Sequence, residues 1–138
     1  MSPGHPRFNQ RCLDRLRSFK ADWLRVGHYD GLKLLSELSE VSPDGEVLYL
    51  DPPYDISNPK LYGRNGSTHH SFDHTQFAQL CRALNDGGWR FIISYDGGQR
   101  SRDRFEGFEI REASWSYGMR QGSSSECLIL SDAFADAC

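Results

Sequence analysis

The absences in this 138-residue chain narrow it first. No apolar stretch approaches the roughly 20 residues of a membrane-spanning helix. The opening Met1-Ser2-Pro3-Gly4-His5-Pro6 lacks the apolar core of a signal peptide. The four cysteines (Cys12, Cys81, Cys127 and Cys138) are far apart and form no Cys-x-x-Cys. That spacing argues against a disulfide or metal framework and for free thiols in a reducing cytoplasm. No sign of charge dominates: 16 Lys and Arg against 19 Asp and Glu leave a net charge of −3. Such a balance does not advertise a nucleic-acid binder. There is no internal repeat and no low-complexity tract. With 25% charged and 38% hydrophobic residues, the chain reads as one soluble globular domain with room for a real core.

Charge distribution is more informative than its sum. Arg7, Arg11, Arg15, Arg17, Lys20 and Arg25 face only Asp14 and Asp22 within residues 7–25, a local excess of four positive charges. This cluster is either a phosphate-tracking surface or the solvated face of an amphipathic helix. A helix is expected over residues 8–22, because Phe8, Cys12, Leu13, Leu16 and Phe19 recur at helical spacing. Trp23-Leu24-Arg25-Val26 reads as a short strand ending at Gly27-His28-Tyr29-Asp30. Leu32, Leu34, Leu35 and Leu38 suggest a second helix, and Ser42-Pro43-Asp44-Gly45 a turn. Val47-Leu48-Tyr49-Leu50 is apolar without alternation, the pattern of a parallel strand buried on both faces. Residues 55–71 form a long loop, a length often reserved for function. Asp73 and Gln76 make a plausible capping box for a helix that buries Phe77, Leu80, Cys81 and Leu84 and stops at Gly87-Gly88. Arg90 to Ser94 is the next buried strand, and residues 99–106 a short helix or loop. Phe108 to Tyr117 and Glu126 to Ser131 pair as antiparallel strands. Helices alternating with parallel strands, then a hairpin, make an α/β fold. In such sheets ligands gather at the carboxyl ends of the strands, where the loops starting at Gly27, Asp51 and Tyr95 would lie.

The most informative residues are Asp51-Pro52-Pro53-Tyr54, at the end of the apolar strand. A carboxylate, two prolines and an aromatic ring can hold an aromatic amine in the plane of its ring while the amine is alkylated. The exocyclic N6 of adenine is a poor nucleophile, its lone pair being delocalised into the purine. Activating it takes an acceptor for each N–H and a flat surface for the base. Asp51 can supply one acceptor and a carbonyl of the proline pair the other. Both prolines have φ near −65°, which stiffens the loop. Tyr54 supplies the stacking surface.

The stretch VLYLDPPY resembles motif IV of the S-adenosylmethionine-dependent amino-methyltransferases. Asp in the first position resembles the adenine-N6 DNA methyltransferases, particularly the Dam-like (D12) class. The order of elements is similar to the C-terminal catalytic part of that class over roughly residues 8–131: a Gly-Asp-Phe-like turn at Gly27-His28-Tyr29, the Asp-Pro-Pro-Tyr loop, a loop with Tyr62 and Phe72, a helix, the Phe91 to Tyr95 strand and a closing Glu126 to Leu130 strand. The resemblance implies a Rossmann-like methyltransferase fold, mostly parallel with a C-terminal antiparallel hairpin, and S-adenosylmethionine as cofactor. It implies double-stranded DNA as partner, with a target adenine flipped out of the duplex. Asp51, Pro52, Pro53 and Tyr54 would be the catalytic residues. Tyr29 would pack on the cofactor's adenine, His28 would accept from its amine through a neutral imidazole nitrogen, and Asp30 is an alternative acceptor. Tyr62 and Asn65 would border the flipped base, and Arg120 would touch phosphate.

Two departures stand out. The family's Phe-x-Gly-x-Gly cofactor signature is absent from all 13 glycines' surroundings, as is the separate target-recognition segment. The domain is therefore expected to be incomplete, short for an autonomous methyltransferase. His28 also stands where the family has an acid. One alternative is thus a non-catalytic or split α/β fragment whose cofactor-binding half comes from a second chain. Others are an RNA-adenine or a cytosine-N4 methyltransferase. His69, His70 and His74 have no matching cysteine or acid cluster, so a metal site is not expected. Residues 123–125 read as a hairpin loop.

Overall fold

These residues form a mixed α/β structure, described in a computed structural model for residues 10–55, 72–115 and 124–137. In chain order the elements are α1 (Gln10–Ser18), α2 (Gly31–Leu38), β1 (Val47–Leu50), α3 (His74–Asp86), β2 (Arg90–Asp96), α4 (Gln99–Arg104), β3 (Glu109–Trp115), β4 (Ser124–Leu130) and α5 (Asp132–Ala135). Asp73 starts α3: its carboxylate accepts from the Thr75 and Gln76 N–H groups at 3.0 and 2.9 Å, pairing two donors a helix start leaves open. The helix stops where expected, with Gly88 in the left-handed region at φ 78°. Asp30 caps α2 in the same way, accepting from Lys33 N–H at 3.1 Å.

The strand order is β1-β2-β4-β3. β1 and β2 are parallel, joined across α3, whereas β4 runs antiparallel to both β2 and β3. The sheet is therefore mixed rather than mostly parallel. The hairpin does not merely extend the sheet: its second strand inserts beside β2, so the one crossover, through α3, makes the one parallel pair among the described residues.

Two further expectations are corrected. Residues 23–26 form no strand; Trp23 is 81% and Val26 87% exposed, in a segment of turns and extended chain. Local β preference has nothing to pair with there, and β1 is left as an edge of the sheet. Consequently β1 is not buried on both faces. Leu48 and Leu50 pack toward the core, while Val47 and Tyr49 are exposed. The helix expected over 8–22 spans Gln10–Ser18 and buries none of its residues.

The core lies between the helices and one face of the sheet. Alternation along β2 sends Phe91, Ile93 and Tyr95 to that face, beside Cys127 and Ile129 of β4. Phe77, Ala78, Cys81 and Leu84 of α3 close over them. Phe105, just after α4, is fully buried, with ring centroids 5.6 Å from Tyr95, 6.0 Å from Phe77 and 5.9 Å from Phe108. Buried Ser131 extends the ladder by accepting the Phe91 N–H at 2.9 Å. Burial pushes the Cys81 thiol up to about 12 and raises Cys127 as well, leaving both protonated and inert. Among the described residues no helix is long and apolar enough to cross a membrane.

Candidate active site

β1 and β2 end side by side, and the register that pairs Leu50 with Ile93 brings Asp51 beside Ser94. The Ser94 hydroxyl donates to Asp51 Oδ1 at 2.9 Å and accepts from the Tyr49 hydroxyl at 3.1 Å. Asp51 itself is exposed at the strand end. Among the described residues only Ser94 hydrogen-bonds this carboxylate. One oxygen is thus held by the protein while the group stays open to a ligand.

The residues that follow are tied down further. The Asp55 N–H donates to Asp96 Oδ2 at 3.2 Å, and the Asp55 carboxylate pairs with Arg104 at 2.8 Å. Asp96 also accepts from the Ser101 hydroxyl at 2.8 Å and the Gly98 N–H at 3.1 Å. Burial alone would raise the Asp55 pKa, but the hydrogen bond and charge of Arg104, helped by His74 and Arg100, outweigh it and hold the carboxyl below its ordinary value. Between the two tied ends, the Tyr54 ring rests 6.1 Å from Tyr95 at a tilt of 54°. Tyr95 is a fully buried support whose hydroxyl is hydrogen-bonded to His74 Nδ1. Burial raises its phenol pKa, so the ring stays neutral. His74 sits in the first turn of α3 with its ring edge-on to Phe72 at 4.9 Å.

A cleft of about 200 Å³ opens between α2 and the end of β1, lined by Gly31, Leu35, Tyr49, Asp51, Pro52 and Phe77 among others. His28, Tyr29 and Asp30 immediately precede α2 and therefore lie next to its Gly31 wall. His28 is exposed, and Tyr29 is 76% exposed with its ring folded back over Gly27. A Cβ on Gly27 would come within 2.0 Å of that ring, so glycine is what allows the ring to lie there. The Asp30 carboxylate already serves as a helix cap.

The segments after β1 and at the end of β2 are thus brought together, whereas the one starting at Gly27 follows no strand and adjoins the cleft only through Gly31. A mostly apolar cleft with a carboxylate at its edge suits a flat nucleobase. Its volume is below the roughly 300–1,000 Å³ of most ligand pockets. Its described lining offers no basic side chain for an amino-acid carboxylate. Among the described residues the lining therefore suits the flat adenine ring of S-adenosylmethionine and has no cationic partner for its methionine carboxylate. Tyr62, Asn65 and Arg120, together with His69 and His70, lie outside the described residues.

Sequence reasoning missed Ser94, Asp55, Asp96 and Arg104. The available signal was Ser94-Tyr95-Asp96, two polar residues alternating at the end of an otherwise apolar strand, opposite a loop with its own charges. A family model described as D12 class N6 adenine-specific DNA methyltransferase matches residues 8–119. No curated protein matches the chain at a significant level.

Proposed function

The chain belongs to the D12 class of N6 adenine-specific DNA methyltransferases, and from that premise we propose that Asp51 to Tyr54 hold the N6 amine of an adenine flipped out of double-stranded DNA. Asp51 accepts one N6–H and the Pro52 carbonyl the other, which localises the lone pair on nitrogen and balances the positive charge that develops there. Ser94 fixes the rotation of the Asp51 carboxylate by holding Oδ1. Tyr54 stacks on the base with Tyr95 behind it, and Pro53 keeps the turn stiff. Alignment of the amine supplies much of the rate gain. S-adenosylmethionine, when bound, supplies an electrophilic methyl group on its sulfonium. Tyr29 and His28 would meet its adenine beside the α2 cleft, with Asp30 an alternative only if it leaves its cap.

The observation that carries this reading is a carboxylate at the carboxyl end of a strand, gripped on one oxygen by Ser94 and followed by a supported tyrosine. Asp51→Ala is expected to abolish methyl transfer to DNA without loss of helical circular dichroism; wild-type-like methylation by this variant would sink the assignment. Nuclease digestion and mass analysis of the product should give N6-methyladenine from DNA. N4-methylcytosine, or methylated adenine only in RNA, would redirect the substrate.

One observation favours a second reading, in which another chain completes the cofactor site: among the described residues the cleft has no basic side chain for the methionine end. Calorimetric titration with S-adenosylmethionine separates the two. Micromolar affinity means the chain binds cofactor by itself, and no heat means that it contributes the base-holding part alone.

A further inference from the structure

The Asp51–Tyr54 turn is anchored at both ends by residues from the far side of the chain. At its start the anchor is Ser94. At its end it is a charged assembly that reaches across 49 residues, Arg104 to Asp55. The two side chains are only 22% and 16% exposed, so water competes weakly for the pair. Asp96 adds a second hold on the same residue, taking the Asp55 backbone N–H while the buried Ser101 hydroxyl and the Gly98 N–H keep its own carboxylate in place. Arg104 is fixed as well. Arg82 donates to the Arg104 carbonyl at 2.7 Å and to the Glu106 carbonyl at 3.1 Å, with its guanidinium 5.4 Å from the Phe108 ring centroid. The end of α4 is thus pinned to α3, and the charge it presents to Asp55 has a defined position.

Arg104 also hydrogen-bonds the phenol of fully buried Tyr95, so the pair lies between the aromatic cluster of the core and the turn. Its evident consequence is local: Tyr54 lies between two anchored residues, Asp51 and Asp55, and rests on Tyr95.

We propose that Arg104, acting through Asp55, is a positioning residue that holds the Asp51–Tyr54 turn in the geometry that receives the adenine. Arg104 touches neither the base nor the methyl donor; it sets where Tyr54 stacks. The proposal rests on the base-holding reading above, and the experiment is arranged so that the two fail separately.

The test compares wild type with Arg104→Gln and Arg104→Lys, using backbone amide exchange by NMR together with methyl transfer to duplex DNA. In Arg104→Gln the Asp55 amide is expected to exchange at least ten-fold faster, while the core amides of Phe91 and Ile93 are unchanged. Its kcat is expected to fall at least ten-fold, with the dissociation constant for DNA altered less than two-fold. Arg104→Lys, which keeps the charge, should recover most of both effects. Should Arg104→Gln fail to fold, Asp55→Asn removes the same pair from the loop side and takes its place. Unchanged exchange at Asp55 overturns the proposal, as does faster exchange with unaltered kcat. Absence of transfer in wild type counts against the functional reading alone; the exchange measurement then decides whether the anchor exists.

Discussion

Residues 10–50 and residues 72–131 contain similar kinds of apolar side chain and treat them in opposite ways. In the second region Phe77, Leu84, Phe91, Tyr95, Phe105 and Ile129 are buried almost completely. In the first, Leu16, Phe19, Trp23, Val26 and Tyr29 are largely exposed, and Leu35 alone is buried. Hydrophobicity is therefore not what separates the regions. β2 has a strand on each side and helices over one face, so each apolar residue it contributes meets a partner. Among the described residues β1 has a strand on one side alone, and α1 buries nothing. The candidate site lies on the seam. The Asp51 carboxylate and the Tyr54 ring take their geometry from the closed region, through Ser94, Tyr95, Asp96 and Arg104. The residues expected to meet the cofactor, His28 to Asp30, stand in the open one.

The contrast can be broken most severely from the closed side. Phe105→Ala removes the ring that joins Phe77, Tyr95 and Phe108, and a cost of about 3–5 kcal/mol is expected. That is a large part of the roughly 5–15 kcal/mol stability of a domain. Urea unfolding should show a lowered midpoint, and retention of the wild-type midpoint would mean that the cluster does not hold this region together.

A smaller effect is expected at the seam. The Asp55 carboxyl titrates below its ordinary value of about 3.9 when folded, so its pair with Arg104 contributes fully above that value. The contribution fades as pH falls through the lower folded-state value. Asp55→Asn should accordingly lower stability by on the order of 1 kcal/mol at neutral pH. The gap to wild type should close on acidification below about pH 4. A gap independent of pH would show that the charge of Asp55 is not what matters.

The smallest effect belongs to the open side. Val26→Ser or Trp23→Ser should change unfolding free energy by no more than about 0.5 kcal/mol, because neither side chain leaves water on folding. Light scattering should show equal or weaker self-association. A loss of several kcal/mol would mean that these residues are covered in solution, and the contrast between the regions would disappear.

Much of the candidate site was legible in the sequence. A continuous apolar run ending in an acid, two prolines and a tyrosine marks a strand followed by a stiff loop, and the cleft and anchors lie at that point. α3 was legible for local reasons, since Asp73 caps it and Gly87-Gly88 ends it. The misreadings share one cause. Trp23 to Val26 has β preference, but a strand exists only if another strand takes its hydrogen bonds, and here none among the described residues does. Val47 and Tyr49 are apolar enough for a buried strand, yet the edge position of β1 leaves them exposed. The hairpin was visible as two facing segments; the insertion of β4 beside β2 was marked only by composition, since the apolar Cys127-Leu128-Ile129-Leu130 suits a central strand and the charged Glu109-Ile110-Arg111-Glu112 an edge.

The sequence by itself determined the elements whose causes are local: the caps, the glycine stops, the stiff proline turn, and the residue types able to hold an aromatic amine. The tertiary structure decided which groups face that turn. Ser94 reaches Asp51 across 43 residues and Arg104 reaches Asp55 across 49. Neither contact has a periodicity or spacing of its own. Each follows from strand register and from the packing of α4 on the core, which depend on the whole chain closing at once.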